Sequence, residues 1–499
     1  MANNNLDHDR APILEALAQH DESPHLSFAP PGHRQGKGAD ERVREVLGSA
    51  VFSHDYLANG ELDDRAARGK VLARSEGLMA DAVGADHAFF TTCGSSLSVK
   101  SAMLAVAGRS GRLLLGRDAH KSAISGLVLG GIEPVWVHPR WDSSLHLAHP
   151  PSPGDIAQTL AGAPDVGGVL VTSPSPYGTC ADLAAIAEVC HDAGKPLLVD
   201  EAWGAHLPFH EDLPTWAMDA GADLCVVSVH KMGTGLEQGS VFHVQGDLID
   251  VDHLSACADM LSTTSPNVLV YAAIDGWRRQ MVQHGAQLLG DALDLARQTR
   301  ERIQQITGLP VLHEELLGAQ ASHDLDELHL LIQVDSAGIS GYQAADWLRE
   351  HEHLDMHLAD AQRVEAQISV ANTRDDANRL VSALAHLCEA APSFEAPSPV
   401  ALPRPGDLEL EQAMSPRQAF FSPIEVVPVD EAVGRIAAEQ ITPYPPGIPA
   451  LLPGERIGQG VLEYLITGRK AGMFLPDAAD AELHTLRVVA SNGDGPVAG

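Results

Sequence analysis

Two residues of this chain have types and positions suited to chemistry on an amine. Lys231 follows the apolar run Leu224-Cys225-Val226-Val227-Ser228-Val229 and His230, and Asp200 closes the earlier run Leu197-Leu198-Val199. Each is expected at the C-terminal end of a buried strand, the edge of an α/β sheet where ligands gather. A lysine beside apolar strands can spend time as the neutral amine that attacks a carbonyl. A carboxylate that ends such a strand needs a partner, because burying an unpaired ion is expensive. Pyridoxal 5'-phosphate uses both groups: the amine holds its aldehyde as a Schiff base, and the acid keeps its pyridine nitrogen protonated. The plainer reading of Asp200 is an acid that caps the segment after it.

Other residues fall where such a cofactor would need them. Gly94-Ser95-Ser96 follows an expected strand and opens an expected helix, so its N–H groups, two hydroxyls and the positive helix end suit a phosphate; the same turn also serves as an ordinary N-cap. His120, in Arg117-Asp118-Ala119-His120-Lys121-Ser122, is either a flat ring to stack on a pyridine or a hydrogen-bonded loop residue. Ala202 is small enough to let a ring pack against the backbone, and Trp203 follows it. Ser228 and His230 flank the lysine with hydrogen-bond donors, and a glycine-rich turn, 232–240, comes next.

The elements that must position these residues are legible as alternating runs. Strands are expected over 87–92, 112–116, 133–137, 168–172, 196–201, 224–229 and 240–244, with helical segments between them. That alternation implies an α/β fold with a mostly parallel sheet. The spacing predicts an N-terminal arm over 1–65, extended rather than packed, and a large cofactor-binding domain over 66–300. A helix over 288–307 leads into a small α+β domain over 301–390, with strands at 327–334 and 366–370 and a helix at 375–387. A proline-rich linker, 391–405, precedes a C-terminal domain over 406–499 with helices expected at 429–441 and 460–468.

Composition excludes several functions. The 499 residues carry a formal net charge of −34, so a nucleic-acid partner is not expected, whereas small cations are attracted. Hydrophobic content of 44% and charged content of 20% fit a globular protein. No run approaches a membrane span and the N-terminus has no signal-like pattern, so a cytoplasmic protein with no membrane partner is expected. The six cysteines are scattered and form no CxxC, which suggests neither a zinc site nor disulfides. His351, His353 and His357 invite a metal reading, but no second ligand group stands at suitable spacing, and no metal is expected.

Taken together, Phe28-Ala29-Pro30-Pro31-Gly32-His33, the Arg117–Ser122 segment, Asp200-Glu201-Ala202-Trp203-Gly204-Ala205-His206, Ser228-Val229-His230-Lys231 and Pro443-Tyr444-Pro445-Pro446-Gly447-Ile448-Pro449 resemble the bacterial ornithine/lysine/arginine decarboxylases. The resemblance spans about residues 25 to 470 and is to the short form, without a receiver-like N-terminal domain. It implies the fold type I, PLP-dependent transferase-like fold, with smaller α+β C-terminal domains. It also implies that Lys231 is the Schiff-base lysine, Asp200 the partner of the pyridine nitrogen and His120 the stacking ring. Ser95, Ser96, Ser228 and His230 would hold the phosphate. The family's active site lies between two subunits, and Thr263 matches a threonine that reaches the neighbour's phosphate, so a homodimer or larger homo-oligomer is implied. Glu455, in Pro453-Gly454-Glu455, would meet the far cation of the substrate. This chain has Gly94-Ser95-Ser96 where the family usually has Gly-Thr-Ser, and Trp203 where short members often have histidine.

The implied reaction is decarboxylation of a basic amino acid, arginine before lysine and lysine before ornithine, with His230 or Lys231 returning the proton to the α-carbon. Polyamine supply and acid tolerance are both compatible roles. An aminotransferase or lyase on the same fold is the alternative, for which Arg374 is the candidate carboxylate clamp. A non-catalytic regulatory homologue is a further one, opposed by intact Lys231, Asp200 and His120.

Overall fold

The structure, a computed structural model, describes residues 6–21, 26, 28–57, 71–108, 110–403, 405–444 and 447–491. They fall into two compact units, one made of 1–105 and 196–288, the other of 106–195 and 289–499. All seven expected strands form: β1 (His87–Thr91), β2 (Arg112–Gly116), β3 (Glu133–Val137), β4 (Val169–Thr172), β5 (Leu197–Asp200), β6 (Leu224–Ser228) and β7 (Ser240–Val244).

In the first unit β5 and β6 pair in parallel, while β7 runs antiparallel to both β6 and β1. Every residue of β5, β6 and β7 is buried, as expected of strands covered on both faces. The register sets Thr91 opposite Ser240, Ser240 opposite Ser228, and Asp200 opposite Val226. The ends of β1, β5 and β6 and the start of the reversed β7 therefore share one edge. In the second unit β2 pairs in parallel with β3 and β4. With only β7 reversed, this is the expected α/β architecture with a mostly parallel sheet.

The N-terminal segment departs from an extended arm. Helices form at Pro12–Asp21, Glu41–Leu47 and Ser49–Ser53, and the first buries Ile13 and Leu17, with Ala11 buried just before it. Residues distant in sequence hold it: Asp275 accepts from the Ile13 N–H at 2.8 Å, and Arg278, paired with Asp275, donates to the His8 carbonyl. Part of the arm, residues 58–65, lies outside the described residues.

In the second unit β8 (His329–Gln333) pairs antiparallel with β9 (Arg363–Gln367). The helix Arg374–Ala390 buries Ala377, Leu380, Val381, Leu384 and Leu387, a helical stripe. The expected 288–307 helix is the last part of a longer one, Val268–Thr307. The expected helix at 429–441 is replaced by a short 3-10 turn, Val429–Glu431, and extended chain. Gly434 takes φ +80 there, and Ala437 and Ile441 donate to the carbonyls of Glu455 and Leu451 instead of to their own segment. The helix Gln459–Ala471 forms as expected and packs Val461 and Leu465 with Ile441, Leu451 and Leu486 in a C-terminal core.

Gly341 opens the helix Gly341–Trp347 behind the Ser340 cap, and a Cβ there would lie 2.0 Å from the Arg363 carbonyl oxygen and 2.4 Å from that of Asp360. Both are backbone atoms that cannot swing away. Gly341→Ala is expected to cost about 1–3 kcal/mol or more in urea unfolding. Gly162→Ala, at a helix end with nothing within 4 Å, should be neutral or slightly stabilising.

Candidate active site

The edge formed by β1, β5, β6 and β7 carries most of the expected site. Asp200 ends β5 at 4% exposure, and the Ala202 N–H donates to its Oδ1 at 3.3 Å. Burial raises its pKa above the ordinary value, and nearby Lys231 opposes that rise. Lys231 Nζ lies 3.9 Å from the centroid of the Trp203 ring, close enough for a cation–π contact. Burial lowers the lysine to about 8, against the pull of Asp200. Among the described residues Nζ makes no hydrogen bond and no ion pair within 4.0 Å. Acid and amine thus feel each other's charge without a direct contact.

The loop after Lys231 is fixed by its backbone. Val229 N–H donates to the Gly239 carbonyl at 2.9 Å, and Gly94 N–H, where the helix Gly94–Ala107 starts, donates to that of Gln238 at 2.9 Å. A Cβ on Gly233 would lie 2.4 Å from the Val229 oxygen and 2.9 Å from the Trp277 ring, so this glycine is required by close approach. The loop thereby ties the lysine to the helix start. Ser228 Oγ donates to Ser95 Oγ at 2.8 Å, joining the end of β6 to that first turn. Ser96, one residue on, is exposed.

His230 donates from Nδ1 to the Gly239 carbonyl at 3.2 Å, and burial lowers its pKa. The neutral ring therefore keeps its proton on Nδ1 and presents Nε2 as a base. Ala202 is buried behind Asp200. Thr263 is exposed, and its Oγ1 accepts from the Ser265 N–H at 3.2 Å. The first unit thus brings together Ser95, Asp200, Ala202, Trp203, Ser228, His230 and Lys231.

His120 and Glu455 belong to the second unit. His120 caps the helix Lys121–Gly130, with Nδ1 accepting from the Ser122 N–H at 3.2 Å. That bond fixes the neutral ring with its proton on Nε2. Gly447 keeps the space beside it, since a Cβ there would lie 3.1 Å from His120 Cδ2. Pro445 and Pro446 of the same motif lie outside the described residues.

Glu455 is engaged otherwise than expected. At 1% exposure, its Oε1 and Oε2 accept from Arg117 Nε and Nη2, both at 3.0 Å, and Oε2 also accepts from the Leu452 N–H. A carboxylate paired fork to fork with a guanidinium is already satisfied, so the observed role is to tie the turn after β2 to the C-terminal segment. Sequence reading missed Arg117 as that partner, although it stands three residues before His120. Arg374 is exposed at the first position of its helix. His351 lies in a short π-helical turn, Leu348–Glu352, that ends at His353. Only His357 of that group joins a cluster, sharing the buried Glu365 with His329, whose Nδ1 is 2.8 Å from Glu365 Oε1.

The donor set in the first unit fits pyridoxal phosphate. Among the described residues the enclosed amine has no hydrogen-bond partner and the buried carboxylate accepts one N–H, and serine hydroxyls stand at a helix start. An aldehyde, a pyridinium N–H and a phosphate would complement these in turn.

A family model for the Orn/Lys/Arg decarboxylase major domain matches residues 11–327, and one for the Orn/Lys/Arg decarboxylase C-terminal domain matches 406–495. An arginine decarboxylase of Halalkalibacterium halodurans is 37% identical over 482 residues, covering 96% of this chain and 98% of that protein. One of Bacillus subtilis is 35% identical over 481 residues, covering 96% and 97%. The solved constitutive lysine decarboxylase of E. coli superposes with a TM-score of 0.80 at 18% identity, covering 97% of this chain and 82% of that one, a likeness of fold.

The depressed Lys231 gives a pH signature. Its folded value near 8 lies below the ordinary 10.5, so between these values the unfolded chain binds more protons and stability rises with pH. In thermal melts of the cofactor-free protein, wild type should gain on Lys231→Met as pH goes from 8 to 10. A constant difference between the two across that window would contradict the enclosed amine.

Proposed function

Because the chain belongs to the Orn/Lys/Arg decarboxylase family and is a carboxy-lyase of basic amino acids, we propose that it converts arginine and a proton to agmatine and CO₂, with pyridoxal phosphate held at Lys231. Its fold is the type I fold of PLP-dependent enzymes. The enclosed amine of Lys231, which makes no hydrogen bond among the described residues, near the buried Asp200 is the observation that carries the cofactor reading. The names of the relatives at 37% and 35% identity favour arginine over lysine and ornithine.

Bound pyridoxal phosphate supplies an aldehyde that takes an amine and a ring that accepts the electron pair left by departing CO₂. The protein does the rest. Lys231, lowered to about 8 by burial, reaches the neutral, nucleophilic form near physiological pH and can exchange with the substrate amine. The buried Asp200 carboxylate would hold a proton at the pyridine nitrogen, where burial makes its charge felt strongly. Ser95, Ser228 and the N–H groups at the start of Gly94–Ala107 hold the phosphate. Trp203 walls the lysine, and Lys231 Nζ, or His230 after taking up a proton at Nε2, would return the proton to the α-carbon. His120 would supply the stacking ring, with its tautomer set by the Ser122 bond.

The exposed Thr263 is assigned to the phosphate of a neighbouring copy, which makes the working unit a homodimer. Domain limits near 65, 300, 390 and 405 and a cytoplasmic role in amine supply belong to the same proposal. The 406–495 match supports the limit near 405, and among the described residues no helix is long and apolar enough to cross a membrane.

Incubation with arginine, lysine and ornithine separately, with products identified by mass, tests this reading. Agmatine from arginine is expected, at a rate well above that of either diamine, and Lys231→Ala should abolish both product and cofactor absorbance. Cadaverine as the dominant product would replace the substrate, and a keto acid would replace the reaction.

A further inference from the structure

A cavity of about 270 Å³ lies in the second unit, and none of Lys231, Asp200, Ser95, Ser228, His230 or His120 lines it. Its walls come from the Arg117-Asp118 turn after β2, segment 138–148, the 360–363 turn before β9, and parts of 402–409 and 443–450. The volume sits just below the roughly 300–1,000 Å³ of drug-sized pockets, which suits a small metabolite.

The lining states the chemistry. Trp141, Tyr177, Tyr342 and Tyr464 face it with aromatic rings, and burial holds the three tyrosines above their ordinary values, so their hydroxyls stay protonated. Both guanidiniums of the wall are paired in charge with a carboxylate. Arg117 is bound to Glu455 and to the Pro449 carbonyl, and Arg363 lies 2.9 Å from Asp360. Burial lowers His138, which keeps it neutral. An anion would therefore meet two guanidiniums whose charges are already offset by Glu455 and Asp360, although Arg363 Nη1 donates no hydrogen bond among the described residues. Acid is left over: Oδ1 of Asp118 is shielded from solvent and accepts no hydrogen bond, and Glu409 stands exposed at the rim. Burial pushes the Asp118 carboxyl up to about 6, against the opposing pull of its own N–H and of Arg117.

We propose that this cavity binds a small aliphatic organic cation, an amine or guanidine on a short carbon chain, with its charged head at Asp118 and its methylenes among the tyrosine and tryptophan rings. Cations over aromatic faces gain when desolvated, and the acidic protein raises their local concentration. The cavity chemistry stands by itself; only the choice of agmatine, the product, as first candidate rests on the decarboxylase reading. Occupancy would bear on His120, because Asp118 shares one short turn with it, and Gly447, beside the His120 ring, accepts from the Lys121 N–H.

Isothermal titration of the full, cofactor-loaded chain with agmatine, putrescine and succinate tests this. Wild type should bind agmatine at two sites per chain, one at Lys231 and one in the cavity, and bind no succinate. Asp118→Asn should weaken one site about tenfold or more, the worth of one charge-assisted hydrogen bond. Ala148→Trp, which fills the cavity, should remove that site, and it keeps the test open if the first variant melts early. Putrescine should follow agmatine. If agmatine binding is the same in all three proteins, or if succinate competes with it, the cavity proposal is overturned. If a single agmatine site is found and both variants abolish it, the cavity stands and the assignment of Lys231 to the product's reaction fails.

Discussion

An acid and an amine are enclosed at adjacent strand ends without touching. Asp200 is buried at the close of β5, and Lys231 follows β6 with its amine over Trp203. Burial pushes both toward their neutral forms, and their mutual attraction only partly offsets that. Such a pair costs folding free energy, so the surrounding structure must hold it in place. A bound group with an aldehyde at one end and a protonated ring nitrogen at the other relieves both costs together.

The rest of the first unit is arranged around that constraint. Strands buried on both faces fix where Asp200 and Ser228 end, and reversing β7 brings Ser240 opposite Ser228. The glycine-rich return from Lys231 is clamped by Gly239 and Gln238 carbonyls, which dock it on the first turn of Gly94–Ala107. Asp275 and Arg278 pin the N-terminal helix from the far side of the sequence. In the second unit the Arg117–Glu455 pair does the corresponding work, fixing the turn that ends in His120. In the first unit short loops thereby rest on buried strands, the rigid support that catalytic positioning needs.

Much of this was legible in the sequence because strands covered on both faces are written as short apolar runs, and all seven appeared at the expected places. Lys231, Asp200 and the serine turn were legible for the same reason: polar residues that end apolar runs have few alternatives. What failed depended on partners far along the chain. The first helix needs Asp275, more than two hundred residues away, and 429–441 looked helical by composition while Gly434 and carbonyls from 451–457 draw it into extended pairing. Glu455 was expected at the far cation of the substrate, and nothing local announces Arg117, the partner that the structure gives it. The cavity likewise collects side chains from segments that no periodicity connects.

The most direct test of the central claim is to titrate pyridoxal phosphate into the cofactor-free protein and into Asp200→Ala, reading absorbance and melting temperature together. The account predicts stoichiometric, stabilising binding to wild type and markedly weaker binding to the variant, with less of the protonated-ring form. Equal affinity and equal stabilisation in the two proteins would mean that the buried acid is not what the cofactor satisfies.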